Sequence, residues 1–192
     1  MNHTTDRIVI TGMGAVTPIG CNVEEYWKNL IACKSGIGLI SRFPTDDYPV
    51  KVAAEVTGFQ KDALPKRVSR DNALFAQFAY AAAEEAIAQS GIDCEAEANR
   101  IGITMGTAMS GVAEIAATQA EMTATGTSKI SPKFVPKTLG NIAAAQIAIE
   151  KHLGGPCMTV STACSSGADA IKLAQMLLAG GEADAIIAVG GE

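Results

Sequence analysis

The sequence is poor in the side chains that build metal sites and disulfide frameworks. It contains two histidines, His3 and His152, and its five cysteines are scattered without any Cys-x-x-Cys pair. This pattern argues against a structural zinc site and against a disulfide scaffold. We therefore expect a protein of a reducing cytoplasm that holds neither a metal nor a cofactor.

Positive charge and long apolar runs are scarce as well. The 15 Lys and Arg residues are outnumbered by 20 Asp and Glu residues, which gives a net charge of −5 and argues against binding to nucleic acid or anionic membranes. No apolar run is long enough to span a membrane, and the polar residues Met1 to Arg7 predict no signal peptide. With 48% hydrophobic and 18% charged residues, the 192-residue chain is expected to be globular.

Short apolar runs alternate with helical patterns along the chain, which predicts an α/β fold with a largely parallel sheet. The sequence ends directly after a predicted strand, so we expect a fragment or one half of a larger unit. The predicted strands are residues 7–13, 100–105, 157–160 and 184–189, with a possible one at 50–56; the predicted helices are 72–90, 111–125, 138–153 and 167–179, with another starting at Asn22.

The stretch from Cys157 to Gly181 places one thiol, Cys164, between a strand and a helix. Small residues surround Cys164, and a helical pattern begins directly after it. The positive end of a helix lowers the pKa of a nearby thiol, and the thiolate is the reactive form. The pattern thus predicts a nucleophile, although a buried structural cysteine explains it equally well. An anion-binding loop is disfavoured because no Gly-Lys-Ser/Thr follows.

Two further local patterns are not interpreted as binding sites. Gly12-Met13-Gly14 could begin a dinucleotide-binding loop, but the full Gly-x-Gly-x-x-Gly spacing is absent and Pro18 follows. A basic cluster at 61–70 is typical of a solvated surface.

The motif TACSSG, Thr162 to Gly167, resembles the nucleophile motif of the β-ketoacyl-acyl-carrier-protein synthases, condensing enzymes of the thiolase-like superfamily. The segments RIVITGMGAVTPIG, KISPKFVPKTLGNIAA and DAIIAVGGE resemble the same family in the same order, closest to its elongating type II branch. The resemblance covers essentially the whole chain. It implies a five-layered αβαβα fold built from two similar halves, acting as a homodimer, with residues 1–192 as the N-terminal half.

The resemblance also implies a chemistry for Cys164. Its thiolate would accept an acyl chain from acyl carrier protein, and malonyl carrier protein would then extend that chain by decarboxylative Claisen condensation. The family's two catalytic histidines and its lysine lie in the C-terminal half, so neither His3 nor His152 is assigned a catalytic role. We expect the isolated chain to be inactive.

Two apolar residues match acyl-pocket positions of the family. Met109, in GTAMSG, falls where the family places a pocket-gating residue within GSGIGG, and Phe134 falls where an aromatic reaches the partner subunit's pocket. Ordinary core packing explains both about as well. Ala108 and Ser110 depart from the glycine pattern, which leaves the preferred acyl length open.

Three basic residues, Lys66, Arg70 and Lys129, match positions where the family docks its acidic carrier protein. A starter-type ketosynthase or thiolase would share the fold and the nucleophile. A partner subunit resembling a chain-length factor would lack the cysteine, so Cys164 argues against that alternative. A truncated, non-catalytic product is the remaining one.

Overall fold

The computed structural model describes residues 7–192, and its regular elements follow the predicted alternation. Two short strands precede the main sheet, and a 3₁₀ turn at each of Lys61–Ala63 and Ala98–Arg100 precedes α2 and β3. In chain order the elements are α1 (Val23–Ile31), β1 (Ile37–Leu39), β2 (Val52–Ala54), α2 (Lys66–Asp71), α3 (Leu74–Ser90), β3 (Ile101–Gly106), α4 (Val112–Thr125), α5 (Phe134–Thr138), α6 (Ile142–Lys151), β4 (Cys157–Val160), α7 (Ser166–Ala179) and β5 (Ala185–Gly190).

The main sheet has three parallel strands in the order β4-β3-β5. The central strand, β3, is buried along its entire length, as its apolar sequence predicts. Gly106 at the end of β3 pairs with Val160 of β4 and with Gly190 of β5. The three strands therefore end at the same level of the sheet.

Helices cover both faces of this sheet, because successive side chains of a strand point to opposite sides. Ile103 and Met105 pack into a core cluster with residues of α3 and α6. Thr104 faces the other way, and its hydroxyl donates to the Ala170 carbonyl of α7 at 2.9 Å. The described part of the chain is thus an α/β/α sandwich. The predicted α/β class is confirmed, as are the strands at 100–105, 157–160 and 184–189.

The predicted strand at Arg7 to Met13 is wrong. This segment pairs with none of the strands in the described part of the chain, and Ile10 is 83% exposed. Side chains of α3 instead bind the backbone at the end of this segment and just after it: Met13 N donates to Gln89 Oε1 at 2.6 Å, and Ala15 N donates to Glu85 Oε2 at 3.0 Å. An apolar sequence forms a strand only beside a partner strand.

Three short elements, β1, α2 and α5, were not predicted, whereas the short strand β2 was. The possible strand at 50–56 is confirmed as β2, but its antiparallel partner β1 is only three residues long. Helices α2 and α5 contain six and five residues, too few for a helical period to stand out. None of the helices in residues 7–192 is long and apolar enough to cross a membrane.

Candidate active site

Three loops meet at the carboxyl edge of the sheet because its strands end level. These loops are residues 107–111 after β3, residues 161–165 after β4, and residues 191–192 after β5. The sheet's hydrogen bonding continues into them: Thr107 N donates to Val160 O at 3.3 Å, and Gly191 N donates to Gly106 O at 3.1 Å. The carboxyl edge of a parallel sheet is where α/β proteins commonly bind ligands.

Cys164 lies in the tight turn between β4 and α7. The residue is exposed, and α7 begins two positions later at Ser166. Ala163 has a left-handed backbone, with φ +54°, which is strained for a residue with a Cβ atom. The predicted strand, turn and helix around the thiol are therefore present. A sealed, buried position for Cys164 is not what the structure shows.

Ser166 ties this turn to the neighbouring loop. It is only 3% exposed, and its hydroxyl oxygen accepts from Thr162 N at 2.9 Å. The same hydroxyl lies 2.7 Å from Ala163 O and 3.3 Å from Thr107 O, the two carbonyls that can accept its proton. A Cβ on Gly106 would lie 2.1 Å from Ser166 O, so only glycine fits at the end of β3.

An acidic residue in the first turn of α7 holds the other side of the Cys164 turn. The Asp169 carboxylate accepts from the hydroxyl of Thr162 and, at 3.2 Å, from that of Ser165. The Ser165 hydroxyl also lies 2.8 Å from Thr162 O. Sequence reasoning missed Asp169 and Ser166 as site residues. An aspartate in a first helical turn was the available signal, since it marks a helix start.

Met109 is 59% exposed and sits in the loop after β3. Its backbone N–H donates to Glu192 Oε1 at 2.8 Å. The next residue, Ser110, has a left-handed backbone with φ +48°, at a position where the family pattern has glycine. Glu192 was not predicted as a site residue, because the sequence shows only one acid after two glycines.

Phe134 and Lys129 both line a cavity of about 210 Å³ formed by α4, α5 and the segment between them. Phe134 is half-buried at the start of α5. No residue of the Cys164 turn lines this cavity. The end of α5 does reach the Met109 loop, because the Ser110 hydroxyl donates to Thr138 O at 3.3 Å.

The predicted docking residues are all exposed. Lys66 and Arg70 lie on α2, and Lys129 precedes α5. Sequence reasoning missed an ion pair between Lys133 and Asp71, which fastens the segment carrying Lys129 to the end of α2. The hydrogen bond from the Lys133 ammonium lowers the pKa of the Asp71 carboxyl.

The other candidate groups lie away from the Cys164 turn. His152 is an exposed residue at the end of α6, and His3 is outside the described residues. Cys157, at the opposite end of β4 from Cys164, is exposed as a residue, yet partial burial raises the pKa of its thiol. Within residues 7–192, no three His, Cys, Asp or Glu side chains are grouped so that they could hold a metal ion.

Comparison with known proteins agrees with the resemblance. A family model described as "Beta-ketoacyl synthase, N-terminal domain" matches residues 5–192. The 3-oxoacyl-[acyl-carrier-protein] synthase 2 of Vibrio cholerae is 38% identical over 188 residues, which cover 97% of this chain and 45% of that protein. The chain thus spans less than half the length of this curated relative.

Solved structures show the same fold. The structure described as the ishigamide ketosynthase/chain length factor superposes with a TM-score of 0.86 at 28% identity, covering 95% of this chain and 46% of that one. A structure described as a type II PKS acyl-carrier protein in complex with its ketosynthase bound to the hexaketide gives a TM-score of 0.73 at 20% identity, covering 95% of this chain and 49% of that one. The thiolase-like α/β fold, represented by its N-terminal half, is confirmed.

Proposed function

The chain belongs to the β-ketoacyl synthase family through the N-terminal domain, and from this premise we propose that its full-length parent is a condensing enzyme of fatty-acid or polyketide-like synthesis. One observation carries the proposal. Cys164 is exposed in a tight turn that leads from a sheet strand into α7, at the edge where three loops meet. A nucleophile at such a turn is open to a substrate while its backbone is fixed.

The proposed first step is acyl transfer. The Cys164 thiolate attacks the carbonyl carbon of an acyl thioester on acyl carrier protein, a carbon–sulfur bond forms, and the carrier's thiolate leaves. The backbone N–H of Cys164 supplies one hydrogen bond to the oxyanion that forms. The network around Ser166 and Asp169 holds the turn in position for this attack.

The proposed second step is carbon–carbon bond formation. Malonyl carrier protein loses carbon dioxide, and the electron pair left on its α-carbon attacks the carbonyl carbon of the Cys164 thioester. The new bond displaces the Cys164 thiolate, which restores the enzyme. The histidines that the family uses to polarise the malonyl thioester belong to the part of the parent beyond this domain.

Residues 1–192 are proposed to be the N-terminal half of the parent, which acts as a homodimer in the cytoplasm. The length supports this division, since the chain covers 45% of the curated relative. Within the half, Met109 and Phe134 are proposed to contact the acyl chain, as apolar side chains suit an alkyl group. The isolated half is expected to lack turnover.

Acyl carrier protein is the proposed partner, and its docking site comprises Lys66, Arg70 and Lys129. All three are exposed basic residues in a chain whose net charge is −5. Such residues suit an acidic partner. The pairing of Lys133 with Asp71 supports a single surface, because it joins the two segments that carry these cations.

Acylation of the full-length parent tests the proposal. After incubation with an acyl carrier protein thioester, mass spectrometry of peptides is expected to find the acyl group on Cys164. Cys164→Ala should abolish labelling, whereas Cys157→Ala, at the other end of β4, should retain it. Labelling that persists in Cys164→Ala, or a native parent that takes no acyl group, would refute the assignment and favour a non-catalytic partner subunit.

A further inference from the structure

The side chain of Glu192 makes a concentrated set of contacts at the carboxyl edge of the sheet. Its carboxylate accepts hydrogen bonds from three consecutive backbone N–H groups, those of Ala108 at 2.7 Å, Met109 at 2.8 Å and Ser110 at 2.6 Å. The Thr107 hydroxyl lies 3.5 Å from both of its oxygens. Hydrogen bonds to a charged acceptor are about twice as strong as neutral ones.

These contacts hold a strained loop. Ser110 has φ +48°, a conformation that is strained for a residue with a Cβ atom. The hydrogen bond from Ser110 N to Glu192, and the one from the Ser110 hydroxyl to Thr138 O, fix this conformation. A glycine at this position would adopt the conformation without strain. A loop with serine therefore depends more on the Glu192 carboxylate than a loop with glycine would.

The loop determines where the Met109 side chain lies. Residues 108–110 are all bound by one carboxylate, so the backbone on both sides of Met109 is fixed with it. Gly111, which follows Ser110, packs closely against α5, because a Cβ there would lie 2.5 Å from Lys137 O. The position of Met109 therefore depends on Glu192.

We propose that Glu192 is a positioning residue that sets the acyl-chain selectivity of the enzyme by fixing the Met109 loop. The inference rests on the proposed function, in which Met109 contacts the acyl chain. The hydrogen bonds of the Glu192 side chain go to residues 107–110 and not to Cys164. Glu192 acts through the backbone of residues 108–110.

The test is made in the full-length parent with Glu192→Gln. An amide keeps the size of the side chain but removes the charge, and its NH₂ group cannot accept the backbone N–H groups. We measure kcat/KM for acylation of Cys164 with carrier protein bearing acyl chains of several lengths. The ratio of kcat/KM between the best and the poorest acyl chain length is expected to fall on the order of tenfold.

Two controls separate positioning from general destabilisation. Asp184→Asn makes the same chemical change at the opposite end of the sheet, where Asp184 bonds Arg100 at 2.7 Å, and it should leave the ratio unchanged. In a Met109→Ala background, Glu192→Gln should have little further effect on the ratio, because it acts through Met109.

The outcomes are separable from those of the proposed function. Normal acylation of Cys164 with a chain-length ratio unaffected by Glu192→Gln would overturn this inference alone. Equal loss of the ratio in Glu192→Gln and Asp184→Asn would also overturn it, since the effect would then be structural. Absence of acylation in the native parent would overturn the proposed function itself.

Discussion

The carboxyl edge of the sheet and the region from residue 7 to residue 60 are built in opposite ways. At the edge, Ser166 and Glu192 hydrogen-bond to the loop after β3, and Asp169 forms hydrogen bonds within the Cys164 turn. The amino-terminal region instead exposes large apolar side chains, and α1 has no buried residue. Those exposed by more than half include Val9, Ile10, Met13, Trp27, Ile31, Ile37 and Leu39.

The difference shows which part of the site is complete within this chain. The Cys164 turn gets its geometry from contacts inside the described residues. The amino-terminal region leaves many large apolar side chains exposed, and a contiguous exposed apolar surface marks a place where another part of a protein binds. That surface supports the proposal that residues 1–192 are one half of a larger unit. The predictions below compare a change outside the amino-terminal region with a matched change inside it.

The largest effect is expected from Gly106→Ala in the parent. The new Cβ would lie 2.1 Å from Ser166 O, a backbone atom that cannot move without displacing the Cys164 turn. Overpacking of this kind costs about 3 kcal/mol or more in the free energy of unfolding. Urea unfolding measures the free energy of unfolding. This free energy and the rate of Cys164 acylation should fall together.

Gly38→Ala, in β1, is the matched control from the amino-terminal region. A Cβ at Gly38 meets nothing within 4 Å, so the change should alter the free energy of unfolding by less than about 0.5 kcal/mol. Equal destabilisation by the two alanines would show that the regions do not differ in packing as described.

Local features of the sequence predicted the parts of the fold that depend on neighbours along the chain. The strand, small-residue turn and helix around Cys164 follow from apolar periodicity, and the helix predicted at 72–90 is α3, which ends before Gly91 with φ +67°. The strand at Arg7 to Met13 was wrong because apolar composition does not reveal whether a partner strand lies alongside.

The contacts that complete the site were out of reach for a different reason. Lys133 meets Asp71 across 62 positions, and Glu192 meets Met109 across 83. No local pattern records such pairs, since each residue alone resembles an ordinary surface charge. The contact of Glu192 with Met109 forms only because the parallel register brings the ends of β3 and β5 level.

A smaller effect is expected from charge reversal on α2. Lys66→Glu with Arg70→Glu in the parent should raise KM for acyl carrier protein on the order of tenfold at low ionic strength. The increase should shrink as salt is added, because exposed charges are screened. Steady-state kinetics at several salt concentrations measures it.

The matched double change lies in the amino-terminal region. Lys34→Glu with Lys51→Glu alters the net charge by the same amount at two other exposed lysines. If both pairs of substitutions raise KM equally, the effect reflects net charge. Lys66 and Arg70 are then ordinary solvated surface residues and not a docking site.

The smallest effect concerns the pH dependence of stability, compared at one carboxyl next to the main sheet, at the end opposite the Cys164 turn, and at one carboxyl in the amino-terminal region. The hydrogen bond and charge of Arg100 lower the pKa of Asp184, next to β5, and the hydrogen bond from the Ser41 hydroxyl lowers that of Glu55, after β2. A carboxyl whose pKa is lower in the folded state stabilises the fold above its unfolded pKa, about 3.9 for Asp and 4.3 for Glu. That stability is lost as the pH falls through the folded value.

Asp184→Asn and Glu55→Gln should therefore each destabilise the parent at pH 7, and the difference from the native protein should narrow as the pH falls below about 4. Both carboxyls are exposed, so both effects are small.

The effects of Asp184→Asn and Glu55→Gln should differ in their response to salt. Asp184 faces a full positive charge on Arg100, so added salt should weaken its effect. The neutral Ser41 hydroxyl, which bonds Glu55 at 2.6 Å, is the main influence on Glu55 and the charge of Arg42 the least, so the effect of Glu55 should respond less to salt. Urea unfolding at pH 3 to 7 in low and high salt measures this contrast. An equal response to salt would mean that Arg100 acts on Asp184 as a hydrogen-bond donor and not through its charge.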